Sequence, residues 1–377
     1  MAGLGRRTFA AGEVLTASNV MNYLQDQVVQ NYAGTAARGS AIGSAVSQGM
    51  VSYLDDSNSL EVYKTTGTAV AGWEPVNMAQ SPNVIINGGF DIWQRGTSFT
   101  NPTTFTYTAD RWQAYRGAFV SGLTISRQAT GLTGFEYGIR LQRASGNTSS
   151  EYLQLDYAME SRDAISLAGK NVTLSFYARA GANLSDTSLT SVILDGTTTD
   201  AIAFNISGGT STTQNVSLTT SWQRFSVTKS VASNSSQVAV RFRVDPTGTA
   251  GANDWFEVTG VQLEAGQTAT PFRRNANSLQ GELATCQRYY EAFQARKLNN
   301  EGYAAGSGYG YYRSISWLAT KRVAPTVTLP TPTTKATSSE ASQSYTDGYT
   351  YQYASNAAGN FFMLWNVGLL GTADAEL

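Results

Sequence analysis

Val238-Ala-Val-Arg-Phe-Arg-Val244 places Val238, Val240, Phe242 and Val244 on alternate positions, with Arg241 and Arg243 between them. Successive side chains of a strand point to opposite faces, so this pattern predicts a strand with one apolar face. Trp255-Phe-Glu-Val-Thr-Gly-Val-Gln-Leu263 follows as a second strand. Upstream, strand-like segments recur at Leu123–Arg127, Tyr137–Arg143, Tyr152–Tyr157, Val172–Arg179, Val192–Leu194, Ile202–Ile206 and Trp222–Val227, separated by Gly, Ser and Thr turns. Many short strands with few helix signals predict an antiparallel β-sandwich of the jelly-roll kind over residues 81–275. Ser207-Gly-Gly-Thr210 reads as a loop rather than a phosphate cradle, since no helix signal follows it.

The chain outside this region is also mainly β. Met50–Leu54 and Leu60–Lys64 flank Asp55-Asp-Ser-Asn58 and predict a β-hairpin, with a third short strand near Trp73, making a small module over 49–80. A short helix is expected in the attachment segment 1–48: Thr16 can cap it, and Met21, Leu24 and Val28 form a narrow apolar stripe with Asn31 next on the seam. Such a stripe suits a short trimeric bundle or a docking helix, the alternative being a helix that lies on its own domain. A cluster of Asn, Ser and Gln at 275–281 marks a boundary, and Leu283–Phe293 fits a short helix or an aromatic strand. Alternating runs at Tyr309–Leu318, Thr326–Leu329, Tyr345–Tyr353 and Phe361–Val367 then predict a smaller β-domain over 281–377.

Composition removes several kinds of chemistry. The 377 residues carry a net charge of -1 with 14% charged residues, which gives no electrostatic reason to expect nucleic acid or anionic membrane. Histidine is absent, so triad and zinc hydrolysis in their usual forms are not expected. Cys286 is the single cysteine, which excludes an intramolecular disulfide framework. The N-terminus lacks the apolar core of a signal peptide, and no apolar run approaches the roughly 20 residues of a membrane span.

Three motifs point to a family. Asn87-Gly-Gly-Phe-Asp-Ile-Trp-Gln-Arg-Gly96 with Ala109-Asp-Arg-Trp112 resembles the opening of carbohydrate-binding-module-like jelly rolls in phage tail fibres. Val258-Thr-Gly-Val-Gln-Leu-Glu-Ala-Gly266 and Ala269-Thr-Pro-Phe272 resemble the close of that domain, and Leu283-Ala-Thr-Cys-Gln-Arg-Tyr-Tyr-Glu291 the start of a terminal β-domain. Phe9-Ala-Ala-Gly-Glu-Val-Leu-Thr-Ala-Ser-Asn-Val20 is similar to the start of phage minor tail proteins. The resemblance implies a homotrimeric receptor-binding fibre in the virion tail, assembled in the host cytoplasm. Its expected partners are tail or baseplate proteins at the N-terminus and a host-surface glycan, with neither nucleic acid nor membrane insertion. It also implies a structural calcium ion near Asp91 and Asp254, with no other cofactor. The alternatives are a capsid fibre or tail spacer without a receptor and, third, a polysaccharide depolymerase. Against the last, Asp156, Glu160, Asp163, Asp186, Asp195 and Glu257 show no spacing that ties them to a cleft.

Sugars are held by flat aromatic faces beside planar polar groups. Candidates in the sandwich are Trp93, Trp112, Tyr115, Tyr152, Tyr157, Tyr177, Trp222 and Trp255. Trp93 and Trp112 lie inside the shared motif and read as scaffold, and Trp222, before Phe225 and Val227, as core. Tyr152 and Tyr157 fall on opposite strand faces, so at most one can meet a ligand. Tyr309/Tyr311 and Tyr349/Tyr351/Tyr353 each share a period of two and present one face, either to a receptor or to a tyrosine-rich trimer interface or half-buried sheet. Arg273-Arg274 reads as a solvated linker pair.

Overall fold

A computed structural model describes residues 29–57, 59–65, 72–76, 83–117, 121–306, 310–335, 339–354 and 359–377, with isolated positions before these at 12, 14, 16 and 17. The chain divides into two compact units, Met1–Gln80 and Ser81–Leu377. Among the described residues no helix is long and apolar enough to cross a membrane.

The first unit is built on a four-stranded sheet in the order β1(Gln30–Tyr32), β2(Val51–Leu54), β3(Ser59–Lys64), β4(Gly72–Pro75). The predicted hairpin and third strand are β2 to β4. The sequence reading missed the parallel strand β1 and the crossover helix Thr35–Ile42 that leads to β2. Asn31, expected on a helix seam, lies in β1, while Met21, Leu24 and Val28 fall outside the described residues. Arg38 secures the helix: it donates to Ser52 Oγ at 3.1 Å, pairs with Glu61 and stacks 4.2 Å from the Trp73 ring.

The second unit opens with the sandwich. Its strands are β5(Ser98–Thr100), β6(Phe105–Tyr107), β7(Gln113–Tyr115), β8(Leu123–Ala129), β9(Tyr137–Arg143) and β10(Leu153–Ala158). They continue as β11(Asn171–Ala180), β12(Ser188–Gly196), β13(Ser211–Ser217), β14(Gln223–Ser230), β15(Gln237–Val244) and β16(Trp255–Ala265). Two six-stranded sheets form, β13-β12-β15-β10-β7-β6 and β14-β11-β16-β9-β8-β5, with every recorded pairing antiparallel. The alternation seen in Val238–Val244 turns Val240 and Phe242 into a core shared with Leu155, Phe176, Val258 and Trp112. Ile202–Ile206, read as a strand, is instead a 3-10 turn at Ala203–Asn205, because the chain is rounding the corner from β12 to β13.

The shared motif is a packing knot. The Asn87 amide donates to the carbonyls of Ile92 (2.8 Å) and Asp110 (3.0 Å), and Trp112 Nε1 donates to Asn87 O at 3.1 Å. Trp93 Nε1 donates to Phe90 O at 2.7 Å. Gly88 is required here, since a Cβ would lie 2.0 Å from the Val261 carbonyl oxygen. Asn87, Trp93 and Trp112 tie the 87–112 segment to itself, and Gly88 lets it close on β16 through Val261 N, consistent with Trp93 and Trp112 being scaffold.

Residues 275–281, expected as a junction, are tied into the sandwich: Asn275 donates to Asn83 O at 2.7 Å, and Ala276 N to the buried Glu282 at 3.1 Å. A helix follows at Leu279–Gln287, capped by Ser278, and strand β17(Tyr290–Gln294) comes next, so Leu283–Phe293 contains both predicted elements. Cys286 and Tyr289 join the sandwich core. The remaining strands are β18(Asn300–Ala304), β19(Gly310–Ser316), β20(Thr326–Thr328), β21(Thr334–Lys335), β22(Ser339–Ser344), β23(Gly348–Ala354), β24(Gly359–Leu364) and β25(Leu370–Asp374). They make three three-stranded sheets, β17-β25-β20, β18-β24-β21 and β19-β23-β22, around Phe293, Trp317, Met363 and Trp365.

Buried arginines clamp the end of β25 to the sandwich. Arg111 pairs with Glu376, donates to Ala158 O at 2.7 Å and stacks 3.7 Å from Tyr289. Arg95 lies 3.2 Å from Glu376 and 4.0 Å from Asp110, over the Tyr290 ring at 3.6 Å. Burial pushes the Asp110 carboxyl up to about 6, against the pull of Arg95 and Gln94. A folded-state value above the unfolded one means that the folded protein holds this proton more tightly, so the group's contribution is present at low pH and lost as pH rises through 6. Thermal melts should therefore show stability rising as pH falls from 7 to 5, by about 1 kcal/mol from this group, and Asp110→Asn should flatten that rise.

Candidate functional site

Strand β10 decides which side chains reach the surface. Leu153, Leu155 and Tyr157 point into the core, so Tyr152, Gln154, Asp156 and Ala158 point the other way. Register brings neighbours alongside: Gln154 and Asp156 face Tyr115 and Gln113 on β7, and Arg243 and Arg241 on β15. Thr190 and Val192 of β12 continue the same rows.

On this outer face the rings stand in a row. Tyr115 stacks on Tyr152 at 5.2 Å and on Phe204 at 5.5 Å, with interplanar angles of 20° in both pairs. Phe105 leans on Tyr115 at 4.8 Å, and the Arg243 guanidinium caps Tyr152 at 4.0 Å. Phe204, 50% exposed, ends the row in solvent. Beside the rings lies a polar line in which the buried Asp156 accepts Arg241 Nε at 2.9 Å, Arg241 Nη2 at 3.0 Å and Gln154 Nε2 at 2.8 Å. Burial raises the Asp156 carboxyl, and Arg241 and Gln154 oppose that rise. The Tyr152 hydroxyl is pushed up to about 12, first by burial and then by its hydrogen bond with Tyr115, so it stays a neutral donor at physiological pH. One end of the face is closed where Ala203, Ile206 and Leu377 cover Ala158, Ala239 and Leu194. What remains open is the aromatic row with the guanidinium groups of Arg241 and Arg243 beside it, while Gln154 and Asp156 are buried and hold Arg241 in place. Such a row suits a ligand with apolar C–H faces and many hydroxyls.

Of the residues singled out in the sequence, Tyr152 lies on this face and Tyr115 joins it. Tyr157 is corrected to core: it is 2% exposed, packs on Trp112 at 5.2 Å, and its hydroxyl accepts Ile86 N at 3.1 Å. The C-terminal tyrosines do present one strand face, but it is the inner one. Tyr349 and Tyr351, 4% and 7% exposed, pack among Trp317 and Trp365, and Tyr311 leans partly buried on the same core. Tyr309 and the side chain of Tyr353 are outside the described residues. Phe105, Phe204, Arg241 and Arg243 were missed, Phe204 because Ile202–Ile206 reads as a strand whose alternation sets it beside Ile202 and Ile206 on an apolar face, whereas the segment is a 3-10 turn.

The calcium expectation at Asp91 and Asp254 is also corrected. Asp254 Oδ2 accepts Arg143 Nε at 3.0 Å and Nη2 at 2.5 Å, while Asp91 accepts Arg274 Nε at 2.9 Å. Each carboxylate is neutralised by its own guanidinium, and Arg274 is a partner rather than a free linker charge. Among the described residues no three His, Cys, Asp or Glu side chains gather where a metal ion could be held. Several of the remaining acids are likewise engaged: Glu160 by Arg288 and Tyr289, Asp195 by Lys229 and backbone amides, and Glu257 by Arg140 and Arg179.

No family model and no curated protein matches the chain. Among solved structures, it is similar to the enzymatically active domain of tailspike protein 4 of bacteriophage CBA120, at 13% identity over 48% of this chain and 21% of that one, with a TM-score of 0.31. The CBM22-1 xylan-binding domain of Paenibacillus barcinonensis Xyn10C is 12% identical over 46% of this chain and 94% of its own, at a TM-score of 0.29. TmCBM61, solved in complex with β-1,4-galactotriose, is 9% identical over 49% of this chain and all (100%) of its own, at a TM-score of 0.29. At these scores none of them carries ligand or function to this chain.

Proposed function

We propose that this protein is a non-catalytic glycan-binding adhesin that receives a saccharide on the outer face of the β10 sheet. The observation behind this reading is the row Phe204, Tyr115 and Tyr152, capped by Arg243 and bordered by Gln154, Asp156 and Arg241. Rings held in a fixed row lose little entropy on binding, and fixed planar donors and acceptors select hydroxyl positions. Asp156 is buried and bidentately paired, which suits a brace that fixes Arg241 better than an acid catalyst.

The finer reading rests on the sequence motifs: a phage tail-fibre subunit, trimeric through its N-terminal segment, that adheres to the host surface. One such site binds weakly, and three on one fibre raise avidity by about 10²–10⁴ without any new contact. A glycan array probed with the intact protein tests the proposal. Retention on one related group of neutral or near-neutral glycans, lost in Tyr152→Ala with the fold intact, is the expected result. A folded protein that retains no glycan would leave the structural-fibre alternative standing.

A further inference from the structure

The other sheet of the sandwich carries a second array on its outer face, built differently. Register places Arg140 of β9 and Arg179 of β11 on either side of Glu257 of β16, with Tyr177 beside Arg224 of β14 one row on. The Glu257 carboxylate, 1% exposed, accepts Arg140 Nε at 2.8 Å and Arg179 Nε at 2.6 Å, and pairs ionically with Arg140 Nη2 at 2.6 Å. The two arginine side chains keep 20% and 22% of their surface in solvent. Each lies on an indole: Arg140 is 3.9 Å from the Trp255 ring, and Arg179 is 4.7 Å from Trp222 and 5.7 Å from Trp255. The exposed Arg224 lies 6.0 Å from the Tyr177 ring.

Two features separate this array from an ordinary structural ion pair. The acids on this face, Glu257 and Glu264, are both buried, the latter closed in by Gln262 and Thr270. The array's own charges that reach solvent are cationic, while the exposed Glu136 lies on the neighbouring 130–136 loop, whose Thr130 carbonyl accepts Trp222 Nε1 and whose Phe135 packs on Tyr177. Each guanidinium also has more donors than Glu257 consumes. Among the described residues, Arg140 Nη1 and both Nη groups of Arg179 have no protein acceptor. The buried carboxylate fixes the forks, the indoles set their planes, and the unused N–H groups stand beside apolar ring surface.

We infer that this face is a second saccharide site, selective for sugars bearing carboxylates. A pyranose would lie against Trp222 or Trp255, and its carboxylate would take the free donors of Arg140 and Arg179 as charge-assisted hydrogen bonds. The inference rests on the saccharide-binding reading but places acidic sugars on the sheet opposite the Tyr152 row.

Affinity electrophoresis of the intact protein through gels containing polygalacturonate, neutral galactan or poly(dT) tests it. The expected result is retardation by polygalacturonate that weakens as salt rises and drops at least about tenfold in Arg140→Gln/Arg179→Gln, while Tyr152→Ala leaves it unchanged. If the double variant does not fold, Arg224→Gln carries the test, with an expected loss of about two- to threefold from a surface side chain. Undiminished retardation in the folded arginine variants, equal retardation by galactan, or stronger retardation by poly(dT) would each overturn the inference. Loss of polygalacturonate binding in Tyr152→Ala would also overturn it while leaving the first face in place. Absence of binding to every neutral glycan would strike the first proposal instead.

Discussion

Arg143→Ala is expected to destabilise the unit 81–377 by about 3–5 kcal/mol, because it strands a buried carboxylate. Arg143 is 0% exposed. It donates twice to Asp254 and also to Ser149 O at 2.6 Å, Thr247 O at 3.1 Å, Gly248 O at 3.2 Å and Ser185 Oγ at 3.1 Å. One guanidinium thus ties the end of β9 to the 245–254 loop, to Ser149 in the β9–β10 connection and to Ser185 in the 181–187 connection. Removing it leaves the buried Asp254 carboxylate without the one ion-pair partner it has among the described residues. Arg143→Lys should recover only part of the loss, since an ammonium cannot reproduce the planar fork. Chemical denaturation of the three proteins measures both effects.

Trp112→Ala should cost a similar amount, about 3–5 kcal/mol, for a different reason. The indole is fully buried between Phe90 at 4.9 Å, Tyr157 at 5.2 Å and Phe242 at 6.3 Å, so its removal opens a cavity at the centre of the sandwich. Its Nε1 also closes the Asn87 loop. Trp112→Phe keeps most of the volume and loses the hydrogen bond, which alone is worth about 1 kcal/mol. Comparing the two variants by denaturant unfolding separates packing from the hydrogen bond. Because Trp112 buttresses Tyr157 on β10, the alanine variant should also loosen the Tyr152 row on the reverse side of that strand.

The sandwich was legible because its strands alternate. Val238–Val244, Tyr137–Arg143 and Val172–Arg179 each carry their apolar set at a period of two, and each is a strand within a residue or two of its expected ends. Ser211–Ser217 was invisible because an edge strand packs little: Ser-Thr-Thr-Gln-Asn-Val-Ser buries only Val216. The crossover helix Thr35–Ile42 was missed for the same reason, since its single buried side chain is Arg38.

For the site, the period-two rule separated Tyr152 from Tyr157 but could not say which one faced solvent. That depended on which flank the second sheet covers, and Leu153 and Leu155 go with Tyr157. The C-terminal tyrosines show the limit from the other side. Tyr349 and Tyr351 share a face as expected, but a small β-domain must fill its core from the side chains available, and here these include tyrosine and tryptophan. The partners of Asp91 and Asp254 lie 183 and 111 residues away in sequence, so nothing local announced that arginines neutralise them.

Calorimetric titration with the glycan best retained on the array tests the central claim most directly, comparing wild type, Tyr152→Ala and Tyr349→Phe at matched fold and melting temperature. The account predicts at least about a tenfold rise in Kd, about 1.4 kcal/mol, for Tyr152→Ala and no change for Tyr349→Phe. Equal Kd values for wild type and Tyr152→Ala, with binding intact in both, would contradict it.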